Sequence, residues 1–413
     1  MPSSLRLFWN ILRSPAAAEP RLDFTEVVEP VEVQSENCLS TLTLQGSHYG
    51  MGWQQGDACR AQIQAMVAGF YDRFAQGLWC VALSASLAAA TVLSLAVCPA
   101  GLSSGALGVA QGAALPLRDI LLINFFDDIL NLLELGWATA CSCSLVRVGQ
   151  RPVGDHREGQ ILLSRNLDYN NAVGQLVRPY QVLLRRYPDQ GQASVSLGIV
   201  GQVGVLTAMN AAGLCLGSLT SPTRDRTWQG LGVSLIYRHM LDQATTVQAA
   251  LDILATSQPV QGNNLVLATP SQAARVEFSS RQQACTWLDT TPLSITNHYL
   301  DDSLASTQTV LARKTVDRAS HLRQRRLCAL LPQASDRAAL IAAMTDTTWP
   351  DTTPLFNTNP WQTGGVVSNW GTLHTVIMTP SEQRWDWALG SGTEPIQRHN
   401  FNTSYPLASV QIP

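Results

Sequence analysis

Charge is the first scarcity. Asp, Glu, Lys and Arg make up 14% of the 413 residues, the net charge is −3, and no basic run exceeds Arg323-Gln-Arg-Arg. A nucleic-acid partner calls for a basic stripe or face, so nucleic acid is excluded from the expected partners. Metal-site spacing is also missing: there is no Cys-x-x-Cys and no matching His pair, which removes the common structural zinc sites. The nine cysteines are odd in number and scattered, unlike a disulfide framework. Repeats and low-complexity tracts are absent too. What the chain does have is apolar material, 46% of it, enough for a large core and too much for global disorder. Its length fits one large domain or two to three average ones.

The opening "MPSSLRLFWNILRSPAAAEP" carries Asn10 and Arg13 inside its apolar patch, which argues against a secretory signal and points to a cytoplasmic chain. Residues 74–117 contain no charge at all. "CVALSASLAAATVLSLAVC" is long enough to span a bilayer, but its Ala and Ser content makes a buried or lipid-facing helix pair the better expectation. Peripheral membrane or lipid contact through 74–117 remains open on these residues.

Residues 1–140 read as mainly helical. After a short strand at "TLTLQG" (41–46), apolar residues recur at Ile63, Met66, Val67, Phe70 and Phe74 with helical spacing. Pro116 reads as a further helix start. The pattern switches at Cys141. Strands are predicted over 141–148, 160–168, 177–186, 193–199, 203–209 and 213–219. A helix is predicted over 231–256, a hairpin over 263–278, a helix over 312–331 and a closing hairpin over 374–389. Two segments follow, 1–140 and 141–413, in a layered α+β arrangement.

The stretch "ACSCSLVRVGQRPVGDHREGQILLSRNLDYNN" (140–171) places two cysteines at a strand start and Arg-Asn-Leu-Asp at the end of the returning strand. A thiol becomes a useful nucleophile as a thiolate, which needs a cation or a base nearby. Arg165 supplies a cation if the hairpin folds back. If Cys141 were a chain N-terminus, its α-amine, titrating near pH 8, would serve as the base, with Asp168 holding the ammonium. The plainer readings are a small buried Cys and a local Arg–Asp pair. Strand alternation leaves Cys141 and Cys143 on one face as equal candidates, and it sets Arg165 and Asp168 on opposite faces, so Asp168 is expected just beyond the strand.

These blocks resemble a family: "CSCSLV…ILLSRNLDY" is similar to the start of the mature subunit of N-terminal-nucleophile (Ntn) amidases, the group of acid ceramidase, N-acylethanolamine acid amidase, choloylglycine hydrolase and penicillin acyltransferases. "LQGSHYGMGWQQG" and "GVAQGAALPLRDILLINFFDD" resemble its pro-region. "MNAAGL", "NNLVLATPSQAARVEF", "ITNHYL" and "LHTVIMTP" resemble its later blocks, in order. The resemblance implies a four-layer αββα sandwich with two antiparallel sheets. It implies a helical pro-region (1–140) released by self-cleavage between Ala140 and Cys141 as the α-subunit of an α/β heterodimer, and a catalytic 141–413. Cys141 is then the nucleophile, with Cys143 as the alternative. Arg165 and Asp168 match the substrate-side Arg and the amine-holding Asp, and Asn297 the oxyanion donor. Arg323 and Tyr169 fall on the substrate side. Thr220 stands where many relatives carry Asn. The implied reaction is hydrolysis of a linear amide of a small molecule, an N-acyl amide with an apolar acyl chain, without metal or organic cofactor. The alternatives are transfer of the acyl group to an amine, or an inactive membrane-associated scaffold.

Overall fold

The computed structural model describes residues 28–36, 39–74, 98–132, 140–153, 156–169, 172–227, 229–309, 314–349 and 364–404. Residues 1–27 and most of the uncharged stretch, 75–97, lie outside them.

Two short strands, β1 (Gln34–Glu36) and β2 (Leu39–Gly46), open the described chain. Helices α1 (His48–Ala58), α2 (Arg60–Phe74), α3 (Ala100–Gly112) and α4 (Leu117–Leu132) follow. Ser47 caps α1 by accepting from the Gly50 N–H at 2.9 Å. The glycines of this region are packing devices rather than punctuation. A Cβ on Gly52 would stand 2.1 Å from the Gly105 carbonyl oxygen, and one on Gly108 2.2 Å from that of Tyr49, so α1 and α3 cross with their backbones in contact.

The strand-rich part begins with the hairpin β3 (Ser142–Val153) and β4 (His156–Asp168), whose arms run longer than expected because Gly149, at φ +63°, absorbs a bulge. Next come α5 (Ala172–Val177), β5 (Gln181–Pro188), β6 (Ser194–Ile199), β7 (Thr207–Asn210) and β8 (Cys215–Thr220). After α6 (Val233–Gln243) and α7 (Val247–Thr256) lie β9 (Asn263–Ala268), β10 (Ala273–Phe278), β11 (Gln283–Trp287) and β12 (Leu293–Ile295). The described chain closes with α8 (Asp302–Ala305), α9 (Lys314–Leu330), α10 (Arg337–Met344), β13 (Thr372–Thr379), β14 (Arg384–Leu389) and β15 (Asn402–Ser404).

Among the described residues these strands form a nine-stranded sheet, β1-β2-β5-β6-β7-β8-β9-β10-β11, and a six-stranded one, β12-β3-β4-β13-β14-β15. β3 and β4 face β8 and β9 across the interior. β8, β9 and β13 are buried at every position, so both faces of each sheet are covered, as an αββα sandwich requires. A satellite cluster of Val146, Leu162, Leu327, Leu340 and Ile377 seats α9 and α10 on the outer face of the smaller sheet.

Four expectations are corrected. The pairing is not purely antiparallel, because β2 joins β5 in parallel; the first segment adds two strands, β1 and β2, to the sheet and contributes to the main core. Strand 177–186 starts only at Gln181, because Pro179 sits in a 3₁₀ turn (178–180) and has no N–H for a ladder. Strand 203–209 starts only at Thr207, since the Val203 and Gly204 N–H groups donate to Asn124 Oδ1 at 2.8 and 3.0 Å. The helix 231–256 is two helices: Asn210 Nδ2 donates to the Leu241 and Ala244 carbonyls at 3.0 and 2.8 Å, and Thr246 caps α7.

Candidate active site

The β3–β4 register pairs Ser142 with Asn166 and Cys143 with Arg165. Cys141 stands one residue before β3, level with the last residues of β4, and is 2% exposed. The Ala140 N–H donates to the Asp168 carbonyl at 3.1 Å, which fixes the chain on the N-terminal side of Cys141.

Arg165 points between the sheets and is locked there. Its Nε and Nη2 donate to the Ser218 carbonyl at 3.0 and 2.8 Å, and Nη1 donates to Thr207 Oγ1. His374 Nε2 lies 3.5 Å from Nη1, and the Cys141 sulfur lies 3.9 Å from Nη2. Burial pushes the Cys141 thiol up, and the Arg165 charge works against that rise. Burial, with the same guanidinium adding to it, pushes the His374 imidazole well below its ordinary range and favours its neutral form.

Asp168 is the last residue of β4, not a residue beyond it. Alternation turns it away from Arg165, toward α9 and the loop before β13, where a register shift between Thr372 and His374 bends the partner strand. At the hairpin's open end Arg165 reaches the Cys141 sulfur, and the Asp168 charge acts on the Cys141 thiol through space. Asn369 Nδ2 donates to Asp168 Oδ2 at 3.0 Å, and Arg323 Nη1 lies 3.8 Å from the same oxygen. Oδ1 is buried without a hydrogen-bond partner. Burial lifts the Asp168 carboxyl to about 6, against the pull of Arg323.

Arg323 is not a surface residue of its helix. It is 1% exposed; Nη1 donates to the Cys141 carbonyl at 2.9 Å and Nη2 to Asn297 Oδ1 at 3.0 Å. Asn297 Nδ2 donates one hydrogen to the Thr220 carbonyl at 2.9 Å, which leaves its second amide hydrogen for another acceptor. Thr220 thus enters through its backbone. Cys143, the second residue of β3 and fully buried with its sulfur against Gly217, has its thiol pushed up by burial.

The Tyr169 hydroxyl donates to Asp127 Oδ2 at 2.6 Å and borders a cavity of about 30 Å³. Ile123, Phe126, Val173, Leu197 and Leu373 give that cavity an apolar lining, and Gln181 and His374, 3.0 Å apart, also line it. Asp127, Asp128, Thr207, Asn369 and His374 went unnoticed in the sequence. The adjacent pair Asp127-Asp128 inside an apolar helix was a usable signal; a lone Thr or His in a strand was not.

A sandwich whose interior end gathers Cys141, Arg165, Asp168, Asn297 and Arg323 has the arrangement of the Ntn amide hydrolase and acyltransferase class. The sequence model of the acyl-coenzyme A:6-aminopenicillanic acid acyl-transferase family matches residues 156–394, more than half of the chain, and the chain belongs to that family. An uncharacterized protein of Archaeoglobus fulgidus is 25% identical over 236 residues, 52% of this chain and 38% of that protein; the chain thus spans well under half of that relative's length. Among solved structures, a Caenorhabditis elegans ortholog of N-acylethanolamine-hydrolyzing acid amidase aligns at 15% identity and TM-score 0.38, covering 58% of this chain and 92% of its own. A variant of the conjugated bile acid hydrolase of Clostridium perfringens aligns at 12% and 0.35, covering 64% and 92%.

Proposed function

We propose that the protein is a self-processing cysteine amidohydrolase that cleaves linear, non-peptide amides, with N-acyl amides bearing an apolar acyl chain as the substrate class. The observation that carries this is the convergence of two buried arginines, a buried carboxylate and an asparagine amide on Cys141.

Maturation is an acyl shift. The Cys141 sulfur attacks the Ala140 carbonyl carbon, a C–S bond replaces the C–N bond, and the freed nitrogen takes a proton to become the Cys141 α-amine. Water then hydrolyses the thioester, leaving a carboxylate on Ala140 and the thiol on Cys141. In turnover the α-amine takes the thiol proton as sulfur attacks the substrate carbonyl, and gives it to the leaving amine as the C–N bond breaks. Water releases the acid from the thioester.

Asp168 holds the ammonium form of the amine. The free Asn297 hydrogen donates to the tetrahedral oxyanion, an interaction worth about 3 to 4 kcal/mol when a single donor is removed from such a site. Arg165 favours the thiolate. Arg323 acts by positioning, since it binds the Cys141 carbonyl and the Asn297 oxygen rather than an open pocket. The lining of the cavity beside Tyr169 supports an apolar acyl group. Purified protein incubated with an N-acyl amide should release the free acid, and Cys141→Ser should abolish or sharply slow that release.

A second reading, transfer of the acyl group from the Cys141 thioester to an amine, draws support from the family itself. Added amine acceptor diverts product from acid to amide if that reading holds, and leaves the acid yield unchanged if hydrolysis is the reaction.

A further inference from the structure

Away from Cys141, a second concentration of buried charge lies where α1 and α3 meet β5 and α6. Arg186 and Arg238 are 3% and 2% exposed. Arg186 donates to Ser196 Oγ at 2.6 Å and to the Gln202 carbonyl at 3.3 Å; both acceptors are neutral. Arg238 Nε donates to Asp242 Oδ1 at 2.8 Å, and His48 Nε2 stands 4.0 Å from Asp242 Oδ2. Asp242 is thus the buried carboxylate near two guanidinium groups, bonded to Arg238 and acting on Arg186 only through space. Burial and the neighbouring Arg238 push Arg186 well below the ordinary arginine range. Burial lowers His48 as well, against the pull of Asp242. The outlying Asp189 is solvent-exposed.

Two donors in this cluster are left over. Arg238 Nη2 and Gln55 Nε2 are buried and make no hydrogen bond, although Gln55 is 2% exposed. Both residues line one cavity of about 20 Å³, together with Arg186 and His48 and walled by Leu44 and Val203. A water needs roughly 10–15 Å³ of such space, so the cavity takes a single occupant and excludes a phosphate or a carboxylic acid. Unmade buried donors and an uncompensated buried cation are both expensive. Water would meet the donors but not the charge; a monatomic anion meets both.

We propose that this cavity binds one small halide ion, chloride in physiological solution, held by Arg186, Arg238 and Gln55. The site is independent of the amide chemistry at Cys141. Its ligands come from both sides of residue 140, Gln55 from α1 and the arginines from β5 and α6, so the ion ties the N-terminal helices to the larger sheet.

The test uses crystals of the full chain soaked in sodium bromide and measured at the bromine edge. The expected result is one anomalous peak between Arg238 Nη2 and Gln55 Nε2, strongly reduced in Gln55→Leu, which removes a donor at nearly constant volume. No peak in the wild-type cavity, meaning water is the occupant, overturns the proposal. A peak that Gln55→Leu leaves at full strength overturns the site as built. Should Gln55→Leu fail to fold, the wild-type peak decides alone.

Discussion

Arg323 of α9 donates to the carbonyl of Cys141 at 2.9 Å and, through its other terminal nitrogen, to Asn297 Oδ1 at 3.0 Å. One planar group thus sets the distance between the Cys141 carbonyl and the Asn297 amide, the proposed oxyanion donor. A lysine carries the charge but not the fork. Arg323→Lys should therefore fold, by circular dichroism, while kcat/KM falls about 10- to 100-fold, the equivalent of one charge-assisted hydrogen bond. Wild-type kcat/KM in that variant would remove Arg323 from the positioning role.

Asp168 should set the acid limb of the pH profile. In the intact chain its carboxyl titrates at about 6. Once a Cys141 ammonium forms beside it, the opposite charge pulls the value below that. Activity then rises with pH as the carboxylate appears and is lost as pH falls through the lowered value. Asp168→Asn should fold, remove this limb and lower kcat/KM by about 10- to 100-fold near neutrality, the loss of one hydrogen bond to a charged group. An unchanged profile in Asp168→Asn contradicts the role.

Asp128 bears on stability rather than chemistry. Burial, with the Asp127 charge adding to it, lifts its carboxyl to about 7 from the ordinary 3.8. A folded-state value above the unfolded one means the folded chain holds the proton more tightly. This contribution is full below about pH 4 and is lost as pH rises to about 7. Asn at this position keeps the acceptor for Gln261 Nε2, 2.8 Å away in the native protein. Asp128→Asn, made in the Cys141→Ala chain so that it stays intact, should raise Tm at pH 8 by a few degrees and change it little at pH 4. Equal shifts at both pH values would contradict the assignment.

Acyl-chain length tests the substrate class. Each buried CH₂ contributes about 0.8 kcal/mol, roughly fourfold in kcat/KM. Amides differing only in chain length should improve until the apolar space beside Ile123 and Phe126 is filled. A flat series from acetyl to dodecanoyl points instead to a small polar acyl group selected near Arg165.

Much of this was legible along the chain. The hairpin bearing Cys141 and Arg165 follows from alternation and turn residues, and the helix start at Pro116 from proline chemistry. Where the reading failed, long-range partners decided. Asn124 and Asn210 claim backbone groups of distant segments, shortening β7 and dividing α6 from α7, and neither pairing leaves a local mark. The parallel seating of β2 on β5 is equally silent in sequence. Arg323 looked like any arginine on a polar helix, because its burial comes from α9 lying over the end of the smaller sheet. As for the uncharged stretch, no described helix is long and apolar enough to cross a membrane, and 75–97 lie outside the described residues.

The most direct measurement is the intact mass and N-terminal sequence of the purified protein, taken beside Cys141→Ala. Self-processing predicts two fragments for the wild type, the larger reading Cys-Ser-Cys-Ser and spanning 141–413, and one uncut chain for the variant. A larger fragment that starts at Cys143 shifts the nucleophile by two residues. A wild-type chain that stays whole while hydrolysing amides, or a Cys141→Ala chain that is still cut at Ala140, contradicts the assignment of Cys141 as an N-terminal nucleophile.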